Sequence, residues 1–224
     1  MTLKKNNLIA SRPVRMYVLV MALGTLLIAF QLTYENLLGW GESFRHAAFQ
    51  VVSLASTTGY ATVDTAGWPL FSIIFLLYFS IQCGMIGSTA GGIKFDRVYL
   101  FLMSLRNQLR LILHPNGVYA VKMNGKIVDH AIELQVMVFI ILYLLTLSVT
   151  ALLLAGMGID GMTSFSASIA TIGNVGPGFG NVSSLGNFGQ LPDAAKCILS
   201  ANMLLGRLEI MNVLALFGLF LRKR

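Results

Sequence analysis

Ser56-Thr57-Thr58-Gly59-Tyr60 is a short polar stretch with a single glycine, set between two apolar runs that are each long enough to cross a bilayer. Upstream, Phe44 to Ala55 suits a short helix that dips into the membrane. Downstream, Trp68 to Ile86 suits the helix that leads out again. Irregular backbone survives at that depth only where it faces water or protein. One use for it is an ion-selectivity filter, in which backbone carbonyls replace the water around a cation. Gly59 permits backbone angles that a Cβ resists, and the Thr57 and Thr58 hydroxyls can add oxygen ligands. The preceding short helix would end at the ion with its negative dipole terminus, which favours a cation. Five residues alone leave a plain polar turn between two anchors open, and they favour it until the rest of the chain is read.

Composition sets the class. The 224 residues are 56% hydrophobic and 11% charged, with a mean hydropathy of +0.75, as expected of a polytopic membrane protein and not of a soluble core. A net charge of +7 raises nucleic acid as a partner, so the placement of the charges has to decide. Thirteen of the 16 Lys and Arg fall before the first apolar run, between Lys94 and Lys126, or in Arg222-Lys223-Arg224. The other loops carry Glu35, Glu42, Asp64, Asp160 and Asp193 against Arg45 and Lys196. This is the positive-inside pattern, which places both termini and the basic central loop in the cytoplasm. The basicity therefore reports topology in a lipid bilayer, and no nucleic-acid partner is expected. Cys83 and Cys197 sit in apolar segments, where a thiol packs as a small hydrophobe, so neither a disulfide nor a cysteine metal site is expected. Lys4-Lys5 ahead of Met16 to Phe30 has the outline of a signal peptide, but no small-residue cleavage site follows, which favours an uncleaved span.

In chain order, a first span covers about Val14 to Gln31, with Tyr34 to Gly41 as an outer loop. After the span ending near Ile86 comes Gly84-Met85-Ile86-Gly87-Ser88-Thr89-Ala90-Gly91-Gly92-Ile93-Lys94. Its glycines work against a regular helix, since each interior one costs about 1 kcal/mol relative to alanine. Gly87 and Gly91 at small-residue spacing also fit close helix packing. A phosphate loop is excluded, because Ile93 stands where its lysine belongs. Phe95 to Leu113 reads as a helix emerging into the cytoplasm, stopped by His114-Pro115-Asn116-Gly117. Val118 to Val128, with Asn124-Gly125 as a turn, reads as a short surface hairpin, either a docking site for a cytosolic partner or a solvated linker.

A second cycle follows: a span over Leu134 to Leu154, a short helix over Met162 to Ile172, the loop Gly173-Asn174-Val175-Gly176-Pro177-Gly178-Phe179-Gly180, and a last span over about Ala194 to Leu221. Gly176 lies 117 residues after Gly59, and the same spacing lays Met16 to Phe30 over the start of the second-cycle span. The sequence therefore implies an all-α polytopic membrane protein of two tandem units in the same orientation, each a span, a re-entrant helix, a filter loop and a span. The units are 14–97 and 132–224, with a cytoplasmic helix and linker at 98–131.

Taken together, Phe49-Gln50-Val51-Val52-Ser53 leading into Thr57-Thr58-Gly59-Tyr60, Gly87-Ser88-Thr89-Ala90-Gly91-Gly92-Ile93-Lys94, His114-Pro115, Asn174-Val175-Gly176-Pro177-Gly178 and Gly206-Arg207-Leu208-Glu209 resemble the membrane subunits of Trk/Ktr-type potassium uptake systems, relatives of the plant high-affinity potassium transporters. The resemblance covers nearly the whole chain. It implies K+ as the transported ion, held at Thr57, Thr58, Gly59 and Tyr60 of a third repeat and Asn174, Val175, Gly176 and Pro177 of a fourth. It implies a gate below the filter formed by Gly84, Gly87, Ser88, Thr89, Gly91 and Gly92, with Arg207 narrowing the pore beside it. It further implies a dimer on a cytosolic ring of nucleotide-binding regulatory subunits, in a bacterial inner membrane.

Two departures qualify it. Family chains carry four repeats and this sequence holds two, so it would be half of a pore completed by a separate polypeptide, one copy in a self-assembled pair, or a non-conducting fragment. The stretch from Gln82 to Ile86 is also poorer in glycine than the resemblance implies. A structural or regulatory membrane partner thus remains the alternative to a transporter. An intramembrane hydrolase built on Ser88 is disfavoured, because His46, His114 and His130 all lie outside its apolar segment. Arg207 sits inside the last apolar run, where an arginine costs about 2.5 to 3.5 kcal/mol on insertion scales. Moved back by the repeat spacing it falls level with Ala90, and it is expected to hold the carbonyls of the 87–92 segment while repelling cations.

Overall fold

Pro13 stands in the first turn of α1 (Arg12–Tyr34), where its fixed φ suits a helix start and its missing N–H leaves no bond unmade. The computed structural model describes residues 11–117, 119–123, 126–213 and 215–216. Lys4, Lys5, Asn124, Gly125 and Arg222 to Arg224 lie outside them. After α1 come α2 (Trp40–Ala55) and α3 (Leu70–Ile81), then the glycine segment between β1 (Gln82–Cys83) and β2 (Ile93–Lys94), and α4 (Phe95–Leu113). A small hairpin of β3 (Lys122–Met123) and β4 (Lys126–Ile127) leads to α5 (His130–Gly156), α6 (Gly161–Ile172) and α7 (Asp193–Arg207). The antiparallel register, Lys122 opposite Ile127 and Met123 opposite Lys126, is the hairpin read around Asn124-Gly125.

Helices α1 and α5 are long and apolar enough to cross a membrane. They expose Leu23, Phe30, Leu145 and Leu152, side chains that in lipid have nothing to hide from. Their other faces join one core with α2, α3 and α6, centred on Ile28, Leu32, Val51, Leu76, Ile169 and Ile172. A second apolar cluster, including Leu154, Ala167, Val182 and Leu199, joins α5, α6 and α7. The short helices α2 and α6 are thus wrapped by longer ones, with Gln50, Ser53, Ser166 and Ser168 buried among apolar neighbours.

Two helices end earlier than their apolar runs. The run Trp68 to Ile86 is helical only from Leu70 to Ile81, because Gln82–Cys83 turns extended and pairs in parallel with Ile93–Lys94. The run Ala194 to Leu221 is interrupted: α7 stops at Arg207, and Glu209 takes the left-handed region with φ 60° before helix resumes at Ile210. Window-averaged hydropathy sees neither break, since Gln82 and the Arg207 to Glu209 stretch are each outweighed by the apolar side chains on both sides.

Candidate functional site

The two short helices end in the same way. At the end of α2, Ser56 N donates to Val52 O (2.9 Å), Thr57 N to Leu54 O (3.0 Å), and Thr58 N and Gly59 N both to Ser53 O (2.9 and 3.4 Å). At the end of α6, Gly173 N donates to Ile169 O (2.9 Å), Asn174 N to Thr171 O (3.1 Å), and Val175 N and Gly176 N both to Ala170 O (2.9 and 3.5 Å). Every donor and acceptor in the second set lies 117 residues after its counterpart in the first. The backbone angles repeat too. Thr57 and Asn174 hold φ of 55° and 52°, a left-handed conformation uncommon without glycine, and Gly59 and Gly176 hold 75° and 106°. A one-for-one recurrence of bonds and strained angles is a repeat in three dimensions.

Those amide bonds fix where the carbonyls point. In a trans peptide the N–H of one residue and the C=O of the residue before it are antiparallel. With the N–H groups of Thr57, Thr58 and Gly59 turned back onto α2, the carbonyls of Ser56, Thr57 and Thr58 face away from it. Those of Gly173, Asn174 and Val175 face away from α6 by the same reasoning. Among the described residues, no protein donor reaches the carbonyl oxygens of Thr57, Thr58, Asn174 or Val175. The loops also meet: a Cβ on Gly59 would collide with Val175 O and stand 3.1 Å from Pro177 Cδ. Two helix C-termini, each a partial negative charge, therefore converge with bare carbonyl oxygens, an environment for a cation. The first loop adds Ser53 Oγ donating to Tyr60 O (2.6 Å) and Gln50 Nε2 donating to Val63 O (3.2 Å). The second has Ser166 Oγ donating to Phe179 O and accepting from Phe179 N, both at 2.9 Å.

The glycine segment is neither helix nor strand between β1 and β2, so Gly87 and Gly91 do not form a helix-packing face. It lies against the second loop, since a Cβ on Gly91 would strike Gly173 O. Its first residues are tied to the start of α4, where Phe95 N donates to Gly84 O (3.0 Å) and Ile86 N to the buried Asp96 carboxylate (2.7 Å). Its middle is held from α7: Arg207 Nη1 donates to Thr89 O at 2.6 Å. The route to this pairing differs from the 117-residue spacing. Pro69 and Pro192, which precede α3 and α7, are 123 residues apart, because the second loop is longer and carries two 3-10 turns, Gly180–Val182 and Phe188–Gln190. On that spacing Arg207 answers to Gly84, not Ala90. The long side chain spans the difference.

Glu209 does not pair with Arg207. Its carboxylate accepts from Lys94 Nζ (3.4 Å) at the foot of the glycine segment and from Arg97 Nη2 (3.0 Å) in the first turn of α4. Arg97 also lies over the Phe139 ring of α5, 4.0 Å from its centroid. Between the glycine segment, α5 and the end of α7 is a cavity of about 290 Å³ lined by Thr89, Gly91, Lys94, Tyr143, Arg207 and Glu209.

Known proteins are similar to this chain in sequence and in fold. The profile of the TrkH family, described as cation transport protein, matches residues 2–222. The chain belongs to the TrkH family. It is 39% identical over 205 residues to the Trk system potassium uptake protein TrkG of Escherichia coli K12, covering 91% of this chain and 42% of that protein. It is 38% identical over 193 residues to the TrkH of the same organism, covering 86% of this chain and 39% of that protein. The crystal structure of the potassium transporter TrkH from Vibrio parahaemolyticus superposes with a TM-score of 0.84 at 35% identity, over 91% of this chain and 43% of that one. The chain thus spans about two fifths of the length of the TrkH-family relatives it matches. As a TrkH-family fold it is a polytopic membrane protein, mostly helical.

The site residues read from sequence gather at two levels. Thr57 to Tyr60 and Asn174 to Pro177 form the two helix-end loops, which meet where Gly59 approaches Val175 and Pro177, and the 84–92 segment lies against the second loop through Gly91 and is held by Arg207. The ion cluster of Lys94, Arg97 and Glu209 was not foreseen. Its signal was a lone carboxylate in an apolar run whose only near cation, Arg207, is two positions away and on the wrong side of a helix.

Proposed function

We propose that this chain forms half of the wall of a potassium-conducting pore in a bacterial inner membrane, with both termini and the α4–α5 connection in the cytoplasm. One observation carries the reading: two helix C-termini of identical construction leave the carbonyls of Thr57, Thr58, Asn174 and Val175 without a protein donor among the described residues, and their loops meet where Gly59 packs on Val175 O. That supports a dehydrated cation held by Thr57 to Tyr60 and Asn174 to Pro177. Potassium is the cation named for the relatives. The pore units are 14–97 and 132–224, joined by 98–131. The segment Gly84 to Gly92 and Arg207 act as the gate beneath, and a cytosolic nucleotide-binding ring regulates it through the cytoplasmic face.

A groove of about 490 Å³ beside the first loop, lined by Phe49, Val52, Ser56, Thr58 and Tyr60, supports a pore wall that another polypeptide completes. Phe49 and Val52 there are 40% and 52% exposed. The same groove favours a second reading, in which the chain alone does not conduct and is a regulatory or structural partner of a transporter. Rubidium uptake in cells lacking their own potassium uptake decides between them. The chain is expressed alone and together with the N-terminal part of a TrkH-family relative. Uptake only on co-expression, lost or made unselective by Gly59→Ser and by Gly176→Ser, is the expected result. Wild-type uptake and selectivity in both variants overturns the filter, and no uptake from any combination favours the regulatory reading.

A further inference from the structure

The two short helices are held from behind by different chemistry. Asn202 of α7 is 2% exposed and its amide nitrogen uses both protons on α6, donating to Ser168 O (3.2 Å) and to Thr171 Oγ1 (3.0 Å). Thr171 passes its own proton to Ala167 O (2.8 Å), and Ser168 Oγ donates to Leu147 O of α5 (2.8 Å). Thr150 Oγ1 of α5 lies 3.5 Å from Asn202 Oδ1. This buried network therefore links α5, α6 and α7. It continues into the loop, because Asn174 Nδ2 donates to Met203 O, the residue after Asn202, at 3.1 Å, and Asn174 N donates to Thr171 O, also at 3.1 Å.

The first unit has nothing of the kind. On the 117-residue spacing Ser168 and Thr171 answer to Val51 and Leu54, and on the 123-residue spacing Asn202 answers to Phe79, all three buried and apolar. Apolar contacts resist compression but let one helix slide on another. Hydrogen bonds between buried groups fix direction as well as distance, and leaving one unmade is costly at low dielectric. The network acts on Ser168 and Thr171, within the last turn of α6, whose neighbouring carbonyls on Thr171 and Ala170 receive the amides of Asn174, Val175 and Gly176.

We propose that Asn202 is a positioning residue for ion discrimination: it sets the second loop at a fixed distance from the first, whereas the last turn of α2 behind the first loop is backed by the apolar Val51, Leu54 and Phe79. This rests on the filter reading. A carbonyl cage selects by the number and placement of its oxygens, so loosening one wall changes which ion fits before it changes whether ions pass.

The test uses the transporting assembly of this chain and measures competition of potassium and of sodium against rubidium uptake. Asn202→Leu keeps the volume and removes the donors, and Thr171→Val removes one acceptor while keeping the shape. The expected result is that both variants reach the membrane and carry rubidium, with the preference for potassium over sodium reduced about tenfold in Asn202→Leu, the factor that about 1.4 kcal/mol makes, and by a smaller factor in Thr171→Val. If Asn202→Leu does not accumulate, Thr171→Val decides alone. An unchanged preference in the variants that accumulate, while Gly176→Ser alters it, overturns the role of Asn202 and leaves the filter standing. An unchanged preference in Gly176→Ser overturns the filter and this inference with it.

Discussion

At the scale of single residues, close approach dominates over propensity. Gly206 lies one position before Arg207 in α7, and a Cβ there would collide with Ile172 O, the last carbonyl of α6. Helix propensity alone says that Gly206→Ala should stabilise by about 1 kcal/mol. The obstacle is a backbone oxygen at the mouth of the second loop, which cannot swing aside, and overpacking of that kind costs about 1–3 kcal/mol. Gly206→Ala is therefore expected to lower the thermal midpoint of the purified protein. Gly67→Ala, with nothing within 4 Å of its added carbon, is expected to leave it unchanged. Equal midpoints for the two variants contradict the packing of α7 on α6. The sequence marked Gly206 within a motif, but which backbone a glycine touches depends on a partner 34 residues away and is not written locally.

The helices were legible where a local chemical signal marks their ends. Asp129 and Asp160 cap α5 and α6, Asp160 accepting from Met162 N (3.1 Å) and Thr163 N (3.2 Å), and Pro69 and Pro192 stand before α3 and α7. Where the end is set by tertiary contacts, local patterning does not place it, as at Ile81, which yields to a two-residue parallel pairing three residues before the first glycine of the 84–92 segment, and at Leu208. There the break turns the Glu209 carboxylate to Lys94 and Arg97, a placement that an unbroken helix carrying Arg207 to Thr89 does not provide. The cap at Asp160 is testable in its own right. It satisfies two of the free amides at the start of α6, and Asp160→Ala is expected to cost about 1 kcal/mol, read as a lower denaturation midpoint. The corresponding position in the first unit is Ser43, inside α2, whose hydroxyl donates to Leu38 O and caps nothing. Ser43→Ala is expected to cost less, and a larger loss from Ser43 than from Asp160 contradicts the cap.

For the molecule as a whole, the two units touch through the glycine segment of the first and the end of α7 in the second, and Arg207 bonds them there beside the Lys94–Glu209 and Arg97–Glu209 pairs. It donates to Thr89 O at 2.6 Å beside the cavity below the two loops. In the proposed pore, a guanidinium there would oppose a passing cation in two ways. It holds the glycine segment in place, and its charge repels: at about 7 Å and an effective dielectric of about 20 the repulsion is about 2.4 kcal/mol. Such an opposition suits the gate proposed above. Arg207→Ala is expected to raise rubidium uptake severalfold in the transporting assembly and to weaken its dependence on the cytosolic regulator. Arg207→Lys keeps the charge and loses the planar donor set, so it separates the two contributions: uptake near wild type assigns the barrier to charge, and uptake near that of Arg207→Ala assigns it to the hold on Thr89. Uptake in Arg207→Ala that is unchanged or lower, with normal accumulation in the membrane, makes Arg207 a structural tie between the units and removes it from the gate.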